Sequence, residues 1–190
     1  NWGLATGSGM GAIAAAVLAH VSAGDRIVAA TRLYGRTRQL FATELARFGV
    51  QVTFADASDP AAMQTAIAGA PVKLVFVETL SNPLCRVADV PVLAELAHEA
   101  GAVLVVDNTF ATPVVCRPLE LGADFVMESV TKLIGGHSDV TLGFLGGRDP
   151  AMLAKAKFAS SAWGLSGSPF DCWLAARGLE TLELRAAAAC

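Results

Sequence analysis

Short apolar stretches alternate along this chain with segments that carry helix signals, and this alternation restricts the possible fold more than any other feature. Stretches such as Lys73–Val77 and Val103–Val106 are bounded by Gly, Pro or Asp, which is typical of buried strands in a parallel sheet. Asp-Pro pairs at Asp59 and Asp149 mark helix starts, with aspartate as the cap and proline in the first turn. The pattern predicts an α/β fold, with a mostly parallel sheet and helices on both faces.

The predicted strands are short apolar runs between turn residues, and the predicted helices carry capping signals or helical periodicity. The strands are Arg26–Ala30, Val50–Phe54, Lys73–Val77, Val103–Val106, Asp124–Met127 and Thr141–Leu145. The helices are Gly11–His20, Thr37–Phe48, Asp59–Ala68, Val90–Ala100, one after Asp149 and a last one opened by Pro169. The opening segment Asn1–Thr6 is, by contrast, a poor candidate for a buried strand.

The composition favours a globular domain whose surface is partly covered by another domain or subunit. Hydrophobic residues make up 54% of the 190 residues, which is rich for one soluble domain, and charged residues make up 16%. No apolar run reaches the roughly 18 residues that span a bilayer, so no membrane partner is expected. A net charge of -3 gives no basic footprint, which argues against nucleic acid as a partner.

The cysteines and the two ends of the chain bear on its compartment and its extent. Cys85, Cys116, Cys172 and Cys190 are scattered without a CxxC pair, so we expect reduced thiols and neither a disulfide framework nor a metal site. The lack of a signal peptide favours a cytoplasmic protein. Because Arg185–Cys190 stops within a helical pattern and residue 1 lies inside patterned sequence, we expect residues 1–190 to be one domain, truncated at both ends.

Polar residues follow three of the predicted strands at the point where each strand ends. Glu78-Thr79 follows one strand, Asp107-Asn108-Thr109 follows another, and Glu128-Ser129 follows a third. In open α/β sheets ligands bind beyond the carboxyl ends of the strands. The sequence therefore predicts one crevice lined by these residues.

The glycine-rich segment Gly7–Gly11 precedes the first predicted helix. Backbone N–H groups at such a helix start can hold a phosphate, and the helix dipole favours negative charge there. A dinucleotide fingerprint would need a clear buried strand just before the glycines, and Asn1–Thr6 is a poor one. A phosphate cradle and a plain glycine turn both remain open.

Lys132 lies in an unusual setting for a surface cation, between Ser129-Val-Thr and the later pair Gly135-Gly136. Such a lysine can hold an aldehyde cofactor as a Schiff base, in a pocket that lets its amine deprotonate, and the hydroxyls of Ser129 and Thr131 could hold phosphate oxygens. Asp107, at the end of a buried strand, could pair with a protonated pyridine nitrogen, or could be a turn or cap residue. Together these features point to pyridoxal 5'-phosphate (PLP).

Tyr34 and the three histidines can each have a purely structural role or a functional one. Tyr34 could stack on a flat ring and serve an acid–base step, or it could simply cap a loop. We expect His137 to be a packing or hydrogen-bonding residue rather than a catalytic one. His20 and His98 are expected to face solvent or a helix end.

Seven segments in order resemble the Cys/Met-metabolism (trans-sulfuration) family of PLP-dependent enzymes, the group of cystathionine γ-synthase, the cystathionine lyases and the homoserine-ester sulfhydrylases. The segments are Ser8-Gly9-Met10, Tyr34-Gly35, Glu78–Pro83, Asp107–Phe110, Ser129–Lys132, Ser168–Asp171 and Arg177–Leu182. One such motif could be chance, whereas seven in order are specific. The resemblance implies the large domain of the PLP-dependent transferase fold type I, which is like that of aspartate aminotransferase.

The resemblance also implies roles for individual residues. Lys132 would be the Schiff-base lysine and general acid–base, Asp107 the partner of the ring nitrogen, and Tyr34 the stacking residue with a catalytic part. The expected cofactor-binding residues are Gly9, Met10, Tyr34, Asn82, Asp107, Thr109, Ser129, Thr131 and Lys132. Gly9 and Met10 would bind phosphate through backbone N–H groups, and Asn82 would lie near the cofactor 3-oxygen and the substrate carboxylate.

The implied activity is γ- or β-elimination or replacement on cystathionine or an O-activated homoserine, in a homotetramer built as a dimer of dimers. Two family features are missing from these residues: the smaller C-terminal domain with its carboxylate-binding arginine, and an N-terminal segment that reaches a neighbouring subunit. Without them, we expect residues 1–190 alone not to turn over substrate. Arg36 stands where methionine γ-lyases usually carry cysteine, which disfavours that member. The alternatives are a non-catalytic fragment with this fold and, resting on Gly7–Gly11, an NAD(P)-binding dehydrogenase.

Overall fold

A computed structural model of the chain describes residues 1–189. Cys190 lies outside the described residues, and Cys85, Cys116 and Cys172 are free thiols. The strands are β1 Trp2–Thr6, β2 Arg26–Ala30, β3 Gln51–Ala55, β4 Leu74–Glu78, β5 Val103–Asp107, β6 Phe125–Ser129 and β7 Gly143–Gly147. None of the helices within residues 1–189 is long and apolar enough to cross a membrane.

The helices between these strands follow most of the predicted starts. They are α1 Gly9–Leu18, α2 Gly35–Gln39, α3 Leu45–Arg47, α4 Pro60–Ala68, α5 Val90–Glu99, α6 Thr112–Val115, α7 Pro150–Ala162, α8 Pro169–Leu179 and α9 Leu182–Ala189. A π-helical turn, Leu40–Glu44, joins α2 to α3, and a 3₁₀ turn covers Pro118–Leu121.

The chain divides into two compact units. One unit, here called the Asp107 unit, comprises His20–Asp107 and Pro118–Phe125. The other, here called the Lys132 unit, comprises Asn1–Ala19, Asn108–Arg117 and the chain from Val126 onward.

The Asp107 unit contains a parallel sheet in the order β5-β4-β2-β3. The central strand β4 is fully buried, with Leu74, Val75 and Phe76 each at 0% exposure. Its continuous apolar run is what a strand covered on both faces requires, and Phe76 meets the ring of Phe41 edge-on at 5.0 Å. At the carboxyl end of the sheet, the register pairs Glu78 directly with Asp107.

Aspartate caps fix the helix starts that the sequence predicts. The Asp59 side chain accepts hydrogen bonds from the N–H groups of Ala61 and Ala62 at the start of α4. The Asp149 side chain accepts one from Ala151 N–H at the start of α7. Both predicted caps are confirmed, because an aspartate oxygen can reach the donors that the first helical turn leaves unpaired.

The Lys132 unit contains β1, which pairs antiparallel with β7 in the register Trp2 to Gly147. The expectation that Asn1–Thr6 is a poor strand is therefore wrong, because β7, distant in the sequence, supplies its partner. A Cβ added at Gly3 would lie 2.6 Å from the ring of Phe144, so β1 needs glycine where that ring crosses it. The alanine-rich helix α1 is nearly all buried.

Many element boundaries differ from the predicted ones by one or two residues, and three differences change the description of an element. The predicted helix Thr37–Phe48 begins earlier and contains the π-helical turn, and α9 follows α8 as a separate helix that the sequence reading did not distinguish. Strand β7 begins at Gly143 rather than Thr141, because Leu142 bonds Thr131 through both its N–H and its carbonyl.

Candidate cofactor site

In the Asp107 unit, Asp107 and Glu78 end neighbouring parallel strands and are Cα partners. Their side chains are buried, at 9% and 7% exposure. Thr79 follows β4 and donates both its N–H and its hydroxyl to the Asp107 carbonyl, at 2.9 and 3.1 Å. Two carboxyl groups at the buried end of a sheet are costly unless cations or donors face them.

Glu78 binds two of the predicted site segments through their backbones. Its Oε1 accepts the N–H of Tyr34 at 2.6 Å, and its Oε2 accepts the N–H of Asn82 at 3.1 Å. The structure therefore brings Tyr34, Asn82 and Asp107 together around one buried side chain. The sequence predicts that Glu78 lines the crevice, but it gives Glu78 no role and does not predict its bonds to Tyr34 and Asn82.

The electrostatics of Glu78 reflect this position. Burial, with the nearby charge of Asp107, raises the pKa of Glu78 to about 7, and the N–H donors of Tyr34 and Asn82 oppose the rise. The carboxyl group can therefore change its charge near neutral pH. The Tyr34 ring itself is 46% exposed, and its side chain makes no capping bond at the start of α2.

In the Lys132 unit, the start of α1 lies against the end of β6. Ser8 caps α1 by accepting the N–H of Gly11 at 3.0 Å, and the first turn carries no acidic residue. A Cβ added at Gly9 would lie 2.8 Å from Ser129 Cβ and 3.0 Å from its Oγ, so only glycine fits there. A helix start that approaches a serine hydroxyl this closely is suited to hold an anion.

The hydroxyl residues around Ser129 differ in what their side chains already bond. Ser129 N–H donates to Thr109 Oγ1 at 2.8 Å, which ties Thr109 to the predicted phosphate site. Thr131 Oγ1 donates to the Leu142 carbonyl at 3.2 Å and accepts the Leu142 N–H at 3.1 Å. Thr131 must give up its bond to the Leu142 carbonyl before its hydroxyl can donate to a phosphate oxygen.

Lys132 lies in a turn three residues after Ser129. Its N–H donates to the Ser129 carbonyl at 3.0 Å, and its carbonyl accepts the Gly136 N–H at 2.9 Å. The side chain is exposed beside an open groove of about 760 Å³ that Ser138 and Asp139 also line. The expectation of an enclosed, desolvated lysine is not met within residues 1–189.

The glycines after Lys132 are needed for the turn itself. Gly136 has a φ of +73°, which L side chains rarely adopt, and a Cβ at Gly135 would lie 2.7 Å from the Val130 carbonyl. His137 Nδ1 lies 2.6 Å from the Gly135 carbonyl, in keeping with the hydrogen-bonding interpretation of His137.

Asn108 and Glu128 form a buried pair that the sequence reading also missed. Asn108 Nδ2 donates to Glu128 Oε1 at 2.8 Å and to the Cys116 carbonyl at 3.0 Å. The Asn108 and Glu128 side chains are 0% and 4% exposed. They hold the segment that carries Thr109 against the end of β6, and the only signal in the sequence was that both follow or end strands.

His98 and His20 make side-chain contacts that the sequence did not predict. His98 Nε2 lies 3.0 Å from Asp124 Oδ2, which also accepts the Leu104 N–H at 2.7 Å. The ring of His20 packs edge-on against Phe125, with 4.9 Å between ring centroids. Both contacts are structural.

The residues present fit pyridoxal phosphate in each unit taken separately. The α1 start with Gly9 and Ser129 suits the phosphate, because a cradle that a Cβ would fill and a dipole without nearby acid favour an anion. The buried pair of Asp107 and Glu78 suits a cationic ring nitrogen. The chemistry of both donor sets is that of a PLP-binding α/β domain.

Comparisons with known proteins also indicate pyridoxal phosphate as the cofactor. The model of the Cys/Met metabolism PLP-dependent enzyme family matches residues 1–189, so the chain belongs to that family, whose cofactor is pyridoxal 5'-phosphate. Family membership favours PLP over the dinucleotide alternative for Gly7–Gly11.

Relatives of several activities are similar to this chain. It is 44% identical over 165 residues to a cystathionine gamma-lyase of Dictyostelium discoideum, covering 87% of this chain and 42% of the relative. It is 44% identical over 182 residues to an O-succinylhomoserine sulfhydrylase of Pseudomonas aeruginosa, covering 96% of this chain and 45% of the relative. The chain thus spans about half the length of the curated relatives it matches.

Solved structures share the fold. A cystathionine gamma synthase from Xanthomonas oryzae pv. oryzae, in complex with cystathionine, has a TM-score of 0.92 and 41% identity, covering 96% of this chain and 47% of that one. A cystathionine gamma-lyase from Lactobacillus plantarum has a TM-score of 0.91 and 38% identity, covering 96% and 47%. The predicted fold, the large domain of fold-type I PLP enzymes, is confirmed.

Proposed function

We propose that residues 1–190 form the PLP-binding large domain of an enzyme of sulfur amino-acid metabolism. The reaction is a γ- or β-elimination or replacement on cystathionine or an O-activated homoserine. The observation that supports the proposal is the close approach of Gly9, at the start of α1, to Ser129. Ser129 is three residues before Lys132, and a helix start at this point is suited to bind phosphate. The relatives named above supply the substrate class.

In this proposal Lys132 has two tasks. Its amine would hold the cofactor covalently through the aldehyde carbon, and the same amine, when free, would take the substrate α-proton. When bound, pyridoxal phosphate supplies a ring that stores the electron pair left behind by that proton. A general base at this position contributes roughly 10²–10⁴-fold to the rate.

The remaining residues would hold the cofactor and orient the substrate. Asp107 would keep a proton on the ring nitrogen, because a carboxylate stabilises the cation beside it. Tyr34 would bind the ring face, and Asn82 would bind the 3-oxygen and the substrate carboxylate. The N–H groups of Gly9 and Met10 and the hydroxyls of Thr109, Ser129 and Thr131 would hold the phosphate.

We propose that a second copy of the chain and a smaller domain cover the surface around Lys132 in a cytoplasmic homotetramer. Exposed aromatic residues of the Lys132 unit support an assembly in general, since Phe158 is 78% exposed, Trp173 60% and Phe170 64%. Large apolar side chains in water mark surfaces that a partner buries.

The exposure of Lys132 is the observation that favours a second candidate, a PLP-binding domain without turnover. Both candidates bind the cofactor, and only the first forms product. Assays for sulfide and keto acid with cystathionine and a homoserine ester distinguish them.

Borohydride reduction of the PLP-loaded protein, followed by peptide mapping, tests the site. We expect the label on Lys132 and no label in Lys132→Ala. The matched control is Lys157→Ala, which removes an exposed lysine of α7 in the same unit and should leave labelling unchanged. A label on Lys73, Lys155 or Lys157 instead would refute the assignment.

A further inference from the structure

Glu78 is a buried carboxyl group to which the proposed chemistry assigns no task. It ends β4, is 7% exposed, and lies opposite Asp107 in the parallel register. Burial of a carboxyl group is costly, and hydrogen-bond donors that face its oxygens offset this cost.

The two oxygens of Glu78 are divided between two loops. Oε1 accepts the N–H of Tyr34, the residue before α2, and Oε2 accepts the N–H of Asn82, in the loop after β4. The Tyr34 side chain makes no capping bond to α2. The Tyr34 backbone N–H donates to Glu78. One side chain on a rigid strand thereby sets the positions of two loops that are far apart in the sequence.

Charged groups from several segments lie near Glu78. Asp107 lies beside it on β5, and Arg32, Asp56 and Arg86 line the same small cavity. Arg86 Nη1 is 3.4 Å from Asp56 Oδ2, and hydrogen bonds from Ser58 lower the pKa of Asp56. Arg86 is therefore already paired with an ionised carboxylate, and the backbone donors are the direct partners of Glu78.

We propose that Glu78 is a positioning residue that places the Tyr34 ring and the Asn82 side chain relative to Asp107 by binding both loop N–H groups. This inference rests on the proposed function, because it is the PLP ring that Tyr34 and Asn82 would meet. Glu78 does not itself touch substrate or cofactor in this proposal.

The strength of the two hydrogen bonds that Glu78 accepts depends on the charge near Asp107. Burial and Asp107 raise the pKa of Glu78 to about 7. A cation bound beside Asp107 offsets the repulsion between the two carboxylates and so favours ionised Glu78. Since an ionised carboxylate makes stronger hydrogen bonds to N–H groups than a neutral one, cation binding tightens both loops.

The test is NMR of backbone amides in the cofactor-free chain. Tyr34 is the only tyrosine of the 190 residues, so ¹⁵N-tyrosine labelling gives one amide signal, and Tyr34→Phe verifies its assignment. We expect this signal to titrate with a midpoint near pH 7, the pKa of Glu78. The titration should vanish in Glu78→Gln and persist in the control Asp56→Asn, which neutralises a carboxylate of the same cavity.

A second amide keeps the test decisive if Glu78→Gln fails to fold. In ¹⁵N-asparagine-labelled wild type, the Asn82 amide should titrate with the same midpoint as Tyr34, because one carboxyl group bonds both. Different midpoints, or a Tyr34 titration that survives Glu78→Gln, would overturn the proposal.

Adding PLP at pH 6.5 separates positioning from mere structural support. We expect both amide signals of the wild type to move toward their high-pH positions, and no such movement in Glu78→Gln. Failure of Lys132 labelling would refute the proposed function while leaving the cofactor-free titration intact. Labelled Lys132 with unmoved amides would refute the role of Glu78 alone.

Discussion

The two units carry their candidate site residues in opposite ways. In the Asp107 unit the carboxyl groups of Asp107 and Glu78 are buried at a sheet end and bonded to backbone N–H groups. In the Lys132 unit the lysine is exposed beside an open groove, whereas Gly9 approaches Ser129 closely. The candidate partner of a cationic ring is therefore buried and hydrogen-bonded, whereas the lysine proposed to make the covalent link is exposed to solvent.

The largest expected effect is that of Lys132→Ala. We expect complete loss of the borohydride-stable label and of turnover, because no other side chain supplies the covalent link. If the open lysine turn is a separate part of the site, the Tyr34 amide titration should be unchanged in this variant. Altered Tyr34 behaviour would contradict this expectation.

Asp107→Asn should have the next largest effect. An amide cannot hold a proton on the ring nitrogen, and breaking a buried charge pair costs about 3–5 kcal/mol. In the full-length protein we expect retained cofactor absorbance with most turnover lost, measured as kcat on cystathionine or a homoserine ester. Near-normal turnover of that variant would show that Asp107 is only a structural strand end.

The pH dependence of stability tests the buried half directly. Glu78 has a pKa of about 7 in the folded protein against an ordinary value of 4.5 for a glutamate, so the folded state binds the proton more tightly. Stability from this group is therefore full below pH 4.5 and is lost as pH rises toward 7, by about 3 kcal/mol.

Urea unfolding at pH 5 and pH 8 measures this loss. We expect the difference in unfolding free energy between wild type and Glu78→Gln to change by about 2.5 kcal/mol between the two pH values, because part of the full effect is already lost at pH 5. The control Asp56→Asn should show no comparable change over this range, because the pKa of Asp56 is lowered rather than raised. A pH-independent difference for Glu78→Gln would mean that the carboxyl group is ionised throughout.

Gly9→Ala should have the smallest effect of the four. Its Cβ would meet Ser129 Cβ at 2.8 Å, and overpacking of this kind costs about 1–3 kcal/mol. We expect weaker PLP binding in an absorbance titration and a lower unfolding free energy. The control is Gly69→Ala, where a Cβ would meet only the Ala66 carbonyl at 3.8 Å, and it should leave binding unchanged.

The sequence alone determined the features that depend on neighbouring residues. The aspartate caps at Asp59 and Asp149 act within one helical turn, so their signal is local and the helix starts were predicted correctly. Buried strands such as β4 and β5 were recognised from continuous apolar runs. The family followed from seven short motifs in order, and the family model confirmed it.

Only the tertiary structure decided the features that join distant segments. Strand β1 exists because β7 pairs with it, and Glu78 holds Tyr34 and Asn82 because the sheet register places it where both N–H groups converge. The bonding of Thr131 to Leu142, and the exposure of Lys132, likewise depend on which segments meet. Pattern and propensity report what one segment can do by itself, whereas a pairing partner or a shared carboxylate is a property of two segments that only the folded chain brings together.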